Sequence, residues 1–444
     1  MTNKVLLIGA GAREHAIAKA IVRSSNAVIY AVTKNNNPGI TALAVKVFRE
    51  DESNSSRTAE IAKKEGIDVC IIGPEAPLAA GVADALDKVK IPCFGPKREA
   101  ARLETSKAFT RDLLVKYKIS GNPDFKKFAS TEGVAGYAQE LLDRFGGFVV
   151  KPDGLTGGKG VKISGEHLAT PKDAEDYARE LVSSKHDSVI VEEKLEGEEF
   201  SLQAFSGGGN CASTPLVQDH KRAFDDDVGE NTGGMGSYSM ADHSMPFVTQ
   251  SDVEQAQKIN AFVAQALEKE FNEPYVGVLY GGFMATKNGL RLLEYNARFG
   301  DPETMNVLPI LENDFVELLR KACDGSIKEC DACFAKRATV VKYLVPAGYP
   351  SSPVAGDEVK VDAAAFDERD TQLFYAAVNE KNGVIKTTKS RTAGVLGIGD
   401  SLEEAEQRAQ NAVCGVKGNL RYRKDIGTQA LIQKRIEHMR KLRG

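Results

Sequence analysis

Short apolar runs alternate with stretches of helical spacing over the first hundred residues, and this alternation restricts the fold more than any other feature. Residues 5–8, 27–32, 69–72 and 92–95 mark strand ends, and apolar side chains three or four apart fill residues 14–22. Strands that alternate with helices form a parallel, doubly wound sheet. We therefore expect an N-terminal Rossmann-like domain at 1–103, with ligands beyond the carboxyl ends of its strands.

The rest of the chain predicts two further domains. The 444 residues are 42% apolar, which is enough for two to four domains with cores of their own. Residues 104–330 predict an α+β core that contains a small strand-rich sub-domain at about 119–190. Beyond Cys333 short strands alternate with turn residues, which predicts a mixed, mostly β domain at 331–444. The fold class is therefore α/β.

Composition excludes several classes of protein. The net charge is −4 with acidic and basic residues mixed, so we expect no nucleic-acid partner. No apolar run approaches the ~20 residues of a membrane span, and no signal sequence is evident, so we expect a cytoplasmic protein without a membrane partner. Seven scattered cysteines are typical of reduced thiols. Cys330 and Cys333 have CxxC spacing, but a zinc site needs four ligands, and ordinary cysteines are the better interpretation.

The first glycine-rich loop follows a strand and opens a helix. Gly9, Gly11 and Arg13 lie where backbone and guanidinium could bind a phosphate. Glu14 stands where a dinucleotide fingerprint has its third glycine, which weakens the dehydrogenase interpretation. On this motif alone, a phosphate site and a ligand-free turn are equally good interpretations.

A second glycine-rich loop joins two strands at 154–160. Lys159 is followed by Gly160 rather than Ser or Thr and no helix follows, so this is not a Walker A loop. A loop of this kind can close over phosphates as a mobile flap, with Lys151 and Lys159 facing the phosphate oxygens. The alternative is a mobile hairpin with two solvated lysines.

An acidic strand predicts a metal site. Residues two apart in a strand face the same way, so Glu294 and Asn296 present two oxygen ligands together, while Leu293 and Tyr295 face the other side. Mg²⁺ takes such ligands together with substrate phosphates. Arg298, just beyond the strand, favours this interpretation over a merely amphipathic strand.

Two further segments are candidates for substrate contact. The loop 231–236 is too rich in glycine for a regular strand or helix, and its backbone amides could surround a small substrate. The apolar strand at 188–193 runs into an acidic segment that could bind a ribose. A charged surface loop and a solvated hinge are the respective alternatives.

Nine short strings together resemble the glycinamide ribonucleotide synthetase family, whose members are ATP-grasp ligases. In chain order the strings are GAGAREH (9–15), GPEAPL (73–78), SKAF (106–109), KPDGLTGGKG (151–160), EGEE (196–199), QDHKR (218–222), NTGGMG (231–236), RFGDPE (298–303) and RKDIG (423–427). The resemblance runs nearly end to end. It departs from the family at Pro152, where alanine is usual, and at residues 156–157, where Thr-Gly replaces Ala-Ala.

The resemblance implies an enzyme that ligates glycine to 5-phosphoribosylamine through glycyl phosphate, with ATP and Mg²⁺ or Mn²⁺. The implied ATP-binding positions are Lys107, Lys151, Gly157, Gly158, Lys159, Glu193, Leu195 and Glu199. The implied metal ligands are Glu294 and Asn296. The implied substrate-binding positions are Gly9, Gly11, Arg13, Glu75, Pro77, Lys221, Asn231, Gly233, Gly234 and Arg298. The implied catalytic residues are Arg298, Lys151 and Asp219.

Three other functions are weighed against this one. A biotin carboxylase shares the ATP-grasp fold, but RFGDPE and GPEAPL favour the amine ligase. A nucleotide sensor without catalysis would lack the lysines and metal ligands that this chain has. A Rossmann dehydrogenase is disfavoured by Glu14. We expect a monomer or weak homodimer whose partners are small substrates.

Overall fold

The computed structural model describes residues 2–155, 160–184 and 188–444. Its N-terminal part holds a parallel sheet in the order β3-β2-β1-β4-β5. The strands are β1 (Asn3–Ile8), β2 (Ala27–Thr33), β3 (Ala44–Arg49), β4 (Val69–Ile72) and β5 (Cys93–Phe94). The prediction of a parallel sheet is confirmed, and its strand order reverses between β1 and β4, where such folds bind ligands.

Helices cover both faces of this sheet. They are α1 (Ala12–Arg23), α2 (Pro38–Leu43), α3 (Ser55–Glu65), α4 (Glu75–Ala79), α5 (Val82–Lys88) and α6 (Arg102–Thr105). Asn37 and Asn54 cap α2 and α3 by accepting backbone hydrogen bonds, and Gly66 ends α3 in the left-handed conformation. Helices α1 and α4 begin just beyond β1 and β4, so their first turns lie at the same edge of the sheet.

A small antiparallel sheet follows in the order β6-β9-β7-β8. Its strands are β6 (Phe125–Phe128), β7 (Phe148–Pro152), β8 (Lys162–Ile163) and β9 (Val189–Glu193). The helices of this region are α7 (Lys107–Lys116), α8 (Val134–Phe145) and α9 (Pro171–Ser183). Ser106 caps α7 by accepting from the Phe109 amide, and α9 has a capping box formed by Thr170 and Asp173.

A second antiparallel sheet, in the order β11-β10-β16-β17, packs against a long helix. The strands are β10 (Gly197–Gly207), β11 (Asn210–Ser213), β12 (Gln218–Asp219), β13 (Arg222–Phe224), β14 (Val228–Asn231), β15 (Gly236–Ser239), β16 (Gly277–Thr286) and β17 (Gly289–Asn296), of which β12 to β15 lie outside this sheet. The helices are α10 (Gln250–Phe271), α11 (Thr304–Val307) and α12 (Phe315–Cys323).

The C-terminal part is antiparallel and incorporates strands from earlier in the chain. It contains β18 (Ala338–Pro346), β19 (Glu358–Val361), β20 (Thr371–Tyr375), β21 (Val378–Lys381), β22 (Val384–Thr387), β23 (Ala393–Gly399), β24 (Val416–Lys417), β25 (Leu420–Arg421), α13 (Leu402–Ala412) and α14 (Gln429–Arg443). One sheet has the order β12-β15-β18-β23-β20, with β25 also paired to β18, and the other has the order β21-β22-β19-β24. Strands β12 and β15 therefore tie the segment around Asp219 to the C-terminal sheet.

The described residues contain no helix that is both long and apolar enough to cross a bilayer. The limits predicted for the three domains stay predictions.

Helix α13 packs so closely on β23 that only glycine fits at position 397. A Cβ on Gly397 would lie 2.1 Å from the Ala405 carbonyl oxygen and 2.4 Å from the Ala409 nitrogen. We expect Gly397→Ala to destabilise the protein by about 1–3 kcal/mol, because helix and sheet must separate. Differential scanning calorimetry measures this loss.

Gly136→Ala is the matched control. Gly136 lies in α8 with nothing within 4 Å of its added Cβ, so alanine should be neutral or stabilising there. Equal melting temperatures for Gly397→Ala and the unaltered protein would contradict the close packing.

Candidate active site

The N-terminal glycine loop closes around the Glu14 side chain. The carboxylate accepts from the Gly11 amide and from Arg13 Nε, each at 2.6 Å. A Cβ on Gly9 would lie 2.6 Å from Glu14 Cγ, and one on Gly73 would lie 2.2 Å from Glu14 Oε1. The carboxylate therefore occupies the place where a dinucleotide phosphate approaches the backbone in a Rossmann enzyme.

Two arginines join this loop to the turn after β17. Arg13 Nη1 donates to the Phe299 carbonyl at 3.2 Å. Arg298 lies 3.6 Å from Glu75 and 3.2 Å from Glu104. Burial alone would lower the pKa of Arg298, but the neighbouring carboxylates raise it, so the guanidinium stays charged. The structure thus brings Arg298 and the loop residues of the N-terminal domain together.

Pro77 lies slightly apart from these groups. It is buried within the short helix α4, whose first residue is Glu75. Burial would raise the pKa of Glu75, but Arg298, Arg13 and Lys34 outweigh it and lower the pKa. Glu75 is therefore an ionised carboxylate between the arginines.

A β-bulge sets the direction of the side chains on β17. Gly282 pairs with Glu294 and Phe283 pairs with Leu292, so Leu293 is an extra residue in the strand. We expected Leu293 to face the side opposite Glu294, together with Tyr295. The bulge shifts the alternation by one residue, so that Leu292 is fully buried and Leu293 is only half-buried. Beyond the bulge, Glu294 and Asn296 alternate with buried residues, and Arg298 Nη2 donates to Asn296 Oδ1 at 3.2 Å.

Four cations surround the Glu294 carboxylate. Burial alone would raise the pKa of Glu294, but these charges outweigh it and hold the pKa below its usual value. In order of effect they are Lys221, Lys107, Lys151 and Arg298. Three of these cations also lie beside other carboxylates, whereas Lys107 donates to a backbone carbonyl. Several ammonium and guanidinium groups held close together suit a polyphosphate.

Glu192, which the sequence analysis missed as a site residue, holds one of these lysines. Its carboxylate accepts from Lys151 Nζ at 2.6 Å and from Arg111 at 2.7 and 3.0 Å. Burial alone would raise the pKa of Glu192, but Arg111 and Lys151 outweigh it and lower the pKa to about 2. Arg111 also donates to the carbonyls of Leu292 and Leu293, which ties the bulge to the small sheet.

Lys107 is placed by the start of α7. Its Nζ donates to the Gly154 carbonyl at 3.0 Å, and the Asp153 carboxylate accepts from Ser106, Ala108 and Ser188. The helix therefore fixes the first residues of the second glycine loop. Three predicted ATP-binding residues of this loop, Gly157, Gly158 and Lys159, lie outside the described residues.

The other predicted ATP-binding residues lie at the end of β9 and in the segment that leads into β10. Glu193 accepts from the Asp124 amide at 3.1 Å and lies 3.9 Å from Arg291, and Leu195 is half-buried. Glu199 pairs with Lys221 at 2.9 Å. Lys221 therefore links the acidic segment to Glu294.

Asp219 lies in a separate acidic corner of the site. Its Oδ1 is buried without a hydrogen bond in the described structure. Burial and the neighbouring charge of Glu303 raise the pKa of Asp219 well above its usual value, against the opposing charges of Lys221 and Arg391. Glu303, also unanticipated as a site residue, accepts from Tyr280 Oη at 2.6 Å.

The third glycine loop lies against Asp219. A Cβ on Gly234, where φ is +104°, would be 2.6 Å from Asp219 Oδ1 and 2.7 Å from Pro302 Cδ. Asn231 ends β14 and pairs through its backbone with Arg222, and Gly233 follows it closely in the chain. The loop therefore forms one wall beside Asp219.

Models of one protein family match the chain in three consecutive parts. The N domain of phosphoribosylglycinamide synthetase matches residues 3–104, its ATP-grasp (A) domain matches 105–304, and its C domain matches 339–429. The phosphoribosylamine–glycine ligase of Methanosarcina acetivorans is 47% identical over 100% of this chain and 99% of its own length. The relative from Methanocaldococcus jannaschii is 46% identical over 99% of this chain and 100% of its own.

The chain belongs to the phosphoribosylamine–glycine ligase family.

Solved structures support the same fold. The phosphoribosylamine–glycine ligase of Thermotoga maritima has a TM-score of 0.78 and 28% identity, over 95% of this chain and 99% of that one. A biotin carboxylase domain from Hydrogenobacter thermophilus has a TM-score of 0.71 at 15% identity, over 99% and 94% of the two chains, and shows the fold alone. The predicted ATP-grasp fold is confirmed.

The sequence only weakly indicates three site residues that the sequence analysis did not predict, which are Glu192, Glu104 and Glu303. Glu192 ends an apolar run beside Glu193, and alternation along β9 is the one signal that separates them, because the buried side chain faces Lys151. Glu104 stands two residues before SKAF and Glu303 is the last residue of RFGDPE, but neither residue was assigned a role in the site. Their partners come from distant segments, which only the fold brings near.

Glu192→Gln tests the buried ion pair. The pKa of Glu192 is lowered from 4.5 to about 2, so its stabilisation is complete above about pH 4.5 and is lost as pH falls towards 2. We expect the variant to lose about 3–5 kcal/mol at pH 7, because two cations are left buried without their partner. The difference from the unaltered protein should shrink as pH falls from about 4.5 towards 2, as urea unfolding followed by circular dichroism would measure.

Glu175→Gln is the control for this measurement. Glu175 pairs with Lys172 and Arg179 on the surface of α9, and such pairs contribute about 0–1 kcal/mol. If Glu192→Gln behaved like Glu175→Gln at every pH, the buried pair would not stabilise the site.

Proposed function

We propose that this chain ligates glycine to 5-phosphoribosylamine, converting ATP to ADP and phosphate in purine biosynthesis. The observation that carries the proposal is the set of cations near Glu294, two of which are held by ion pairs, Lys151 by Glu192 at 2.6 Å and Lys221 by Glu199 at 2.9 Å. Family membership supplies the substrates, because the relatives are named for this reaction. Both kinds of support are independent of each other.

The phosphates of ATP lie, in this proposal, along Lys107 and Lys151, with Gly157, Gly158 and Lys159 closing over them. Glu192 supports the role of Lys151, because the ion pair at 2.6 Å holds the ammonium in place. The adenine and ribose would lie along Glu193, Leu195 and Glu199, which run from the end of β9 into β10. In this proposal the side chains bind and position ATP, and none of them forms a covalent bond to it.

Glu294 and Asn296 fit a divalent metal. Both offer oxygen ligands, and the lowered pKa of Glu294 keeps its carboxylate ionised at neutral pH. The described residues contain no cluster of three or more His, Cys, Asp or Glu that could hold a metal. Mg²⁺ or Mn²⁺ would supply charge neutralisation at the phosphate oxygens.

The two other substrates are assigned to opposite sides of Arg298. Phosphoribosylamine would lie on the N-terminal side, where Gly9, Gly11, Arg13, Glu75 and Pro77 are found. Glycine would lie towards Asp219, with Lys221, Asn231, Gly233 and Gly234 around it. Arg298 supports this division, because it reaches Glu75 on one side and Asn296 on the other.

The chemistry has two displacements. A glycine carboxylate oxygen attacks the γ-phosphorus and ADP leaves, which gives glycyl phosphate. The amine of phosphoribosylamine then attacks the carbonyl carbon, the carbon–oxygen bond to phosphate breaks, and the departing phosphate takes the proton that the nitrogen loses. Lys151 and Arg298 act by holding and neutralising the transferred phosphoryl group, and Asp219 orients the glycine end.

We further propose a cytoplasmic protein that acts as a monomer or weak homodimer.

Omission of each substrate tests the proposal directly. ADP release is measured with Mg-ATP, glycine and freshly generated phosphoribosylamine, and then with each left out. We expect ADP and glycinamide ribonucleotide in equal amounts only when all three are present. Turnover with a different carboxylate and amine, but none with phosphoribosylamine, would reject these substrates and keep the ATP-grasp chemistry.

Glu294→Gln tests the metal ligand. We expect kcat to fall about 10²- to 10³-fold, because one preorganised charge at the phosphoryl group is lost. The fold should remain, as circular dichroism would show. Tyr295→Phe is the control on the same strand, since Tyr295 faces the core and donates to Asn260 at 2.7 Å. That variant should lose stability and keep kcat, and near-normal turnover by Glu294→Gln would refute the assignment.

A further inference from the structure

Arg391 of the C-terminal domain binds two loops of the active site at once. The residue precedes β23, and its side chain is largely buried. Its Nη1 lies 2.5 Å from the Gly233 carbonyl, 3.0 Å from the Gly234 carbonyl and 3.2 Å from the Asp301 carbonyl. Its Nη2 donates to Asp301 Oδ2 at 2.9 Å. One guanidinium thus joins the third glycine loop to the turn after β17.

Tyr343 completes this arrangement from β18. Its hydroxyl donates to Asp301 Oδ1 at 2.6 Å, and its ring lies 4.4 Å from the Arg391 guanidinium. Both oxygens of Asp301 are therefore engaged. Burial alone would lower the pKa of Arg391, but the charge of Asp301 raises it and keeps the cation charged. A charged, planar group with several donors is what these four acceptors need.

The joined loops form the wall beside Asp219. Gly234 lies so close to Asp219 and Pro302 that a Cβ would be within 2.7 Å of each. A shift of either loop would therefore move the surface that faces the Asp219 carboxylate. Small displacements of positioning groups cost large factors in enzyme efficiency.

We propose that Arg391 is a positioning residue for the glycine pocket, through which the C-terminal domain sets glycine affinity without touching the substrate. The inference rests on the proposed function, because that function assigns glycine to the Asp219 side. The proposed function places the ATP contacts along Lys107, Lys151 and the segment after β9, and Arg391 is not among them. Loss of Arg391 should therefore affect one substrate selectively.

Arg391→Met and Arg391→Lys test the proposal through steady-state kinetics. We expect the KM for glycine to rise about tenfold to a hundredfold in Arg391→Met, as for the loss of charged hydrogen bonds, with the KM for ATP within about twofold. Arg391→Lys should recover part of the effect, since an ammonium keeps the charge but reaches fewer of the acceptors.

Arg421→Met is a matched control. Arg421 also belongs to the C-terminal domain, stacks 4.5 Å from the Phe224 ring and donates to the carbonyls of Ala223 and Tyr349. It contacts neither Asp301 nor the third glycine loop in the described structure. Its loss should leave both KM values unchanged, so that a general effect of weakened domain contacts is excluded.

Hydrogen exchange of the backbone provides a readout that needs no substrate. Amides of residues 233–236 and of Gly300, Asp301 and Glu303 should exchange faster in Arg391→Met than in Arg421→Met. Equal exchange in the two variants, or an equal rise in the KM values for glycine and ATP, would overturn the proposal. Absence of turnover in the unaltered protein would instead reject the proposed function, and the exchange result would still decide whether Arg391 holds the loops.

Discussion

Buried positive charge near β17 requires nearby anions, and the placement of Glu192 and Glu294 satisfies that requirement. An unpaired buried charge costs several kcal/mol, so Arg111 and Lys151 can remain inside only beside the Glu192 carboxylate. This ion pair also fixes the small sheet against the β17 bulge, because Arg111 donates to two carbonyls there. Neutralising Glu192 would therefore disturb both the charge balance and the geometry of the bulge.

The local sequence pattern predicts those strands and helices whose limits are set by residues close to them in the chain. The strand β4 has the limits of the apolar run at 69–72. Strand β3 was not anticipated, because it is an edge strand whose lysine and arginine interrupt the apolar run. The pair formed by Glu294 and Asn296 follows from alternation alone, but the bulge before it does not, since a bulge depends on the partner strand.

Long-range contacts decide the remainder of the site. Asp219 and Arg391 are separated by well over a hundred residues in the chain, yet β12, β15 and β18 place them in one sheet system. The charge of a residue does not reveal its partner, so Arg391 resembles an ordinary surface residue in the sequence, and Glu303 is marked by its motif but not by a role. Motif resemblance located the loops, and the fold was needed to show what holds them.

The N-terminal loop shows how one substitution changes what a common fold can bind. The sheet and its strand order suit a dinucleotide, whose pyrophosphate would approach the loop amides. In this chain the Glu14 carboxylate takes the Gly11 amide and pairs with Arg13, and it fills the space above Gly9 and Gly73. A dinucleotide pyrophosphate on the Gly11 amide would meet a carboxylate at close range, which is unfavourable. The dehydrogenase interpretation therefore fails on charge as well as on sequence, and the substrate proposed for this side must contact the loop without displacing Glu14 from the Gly11 amide.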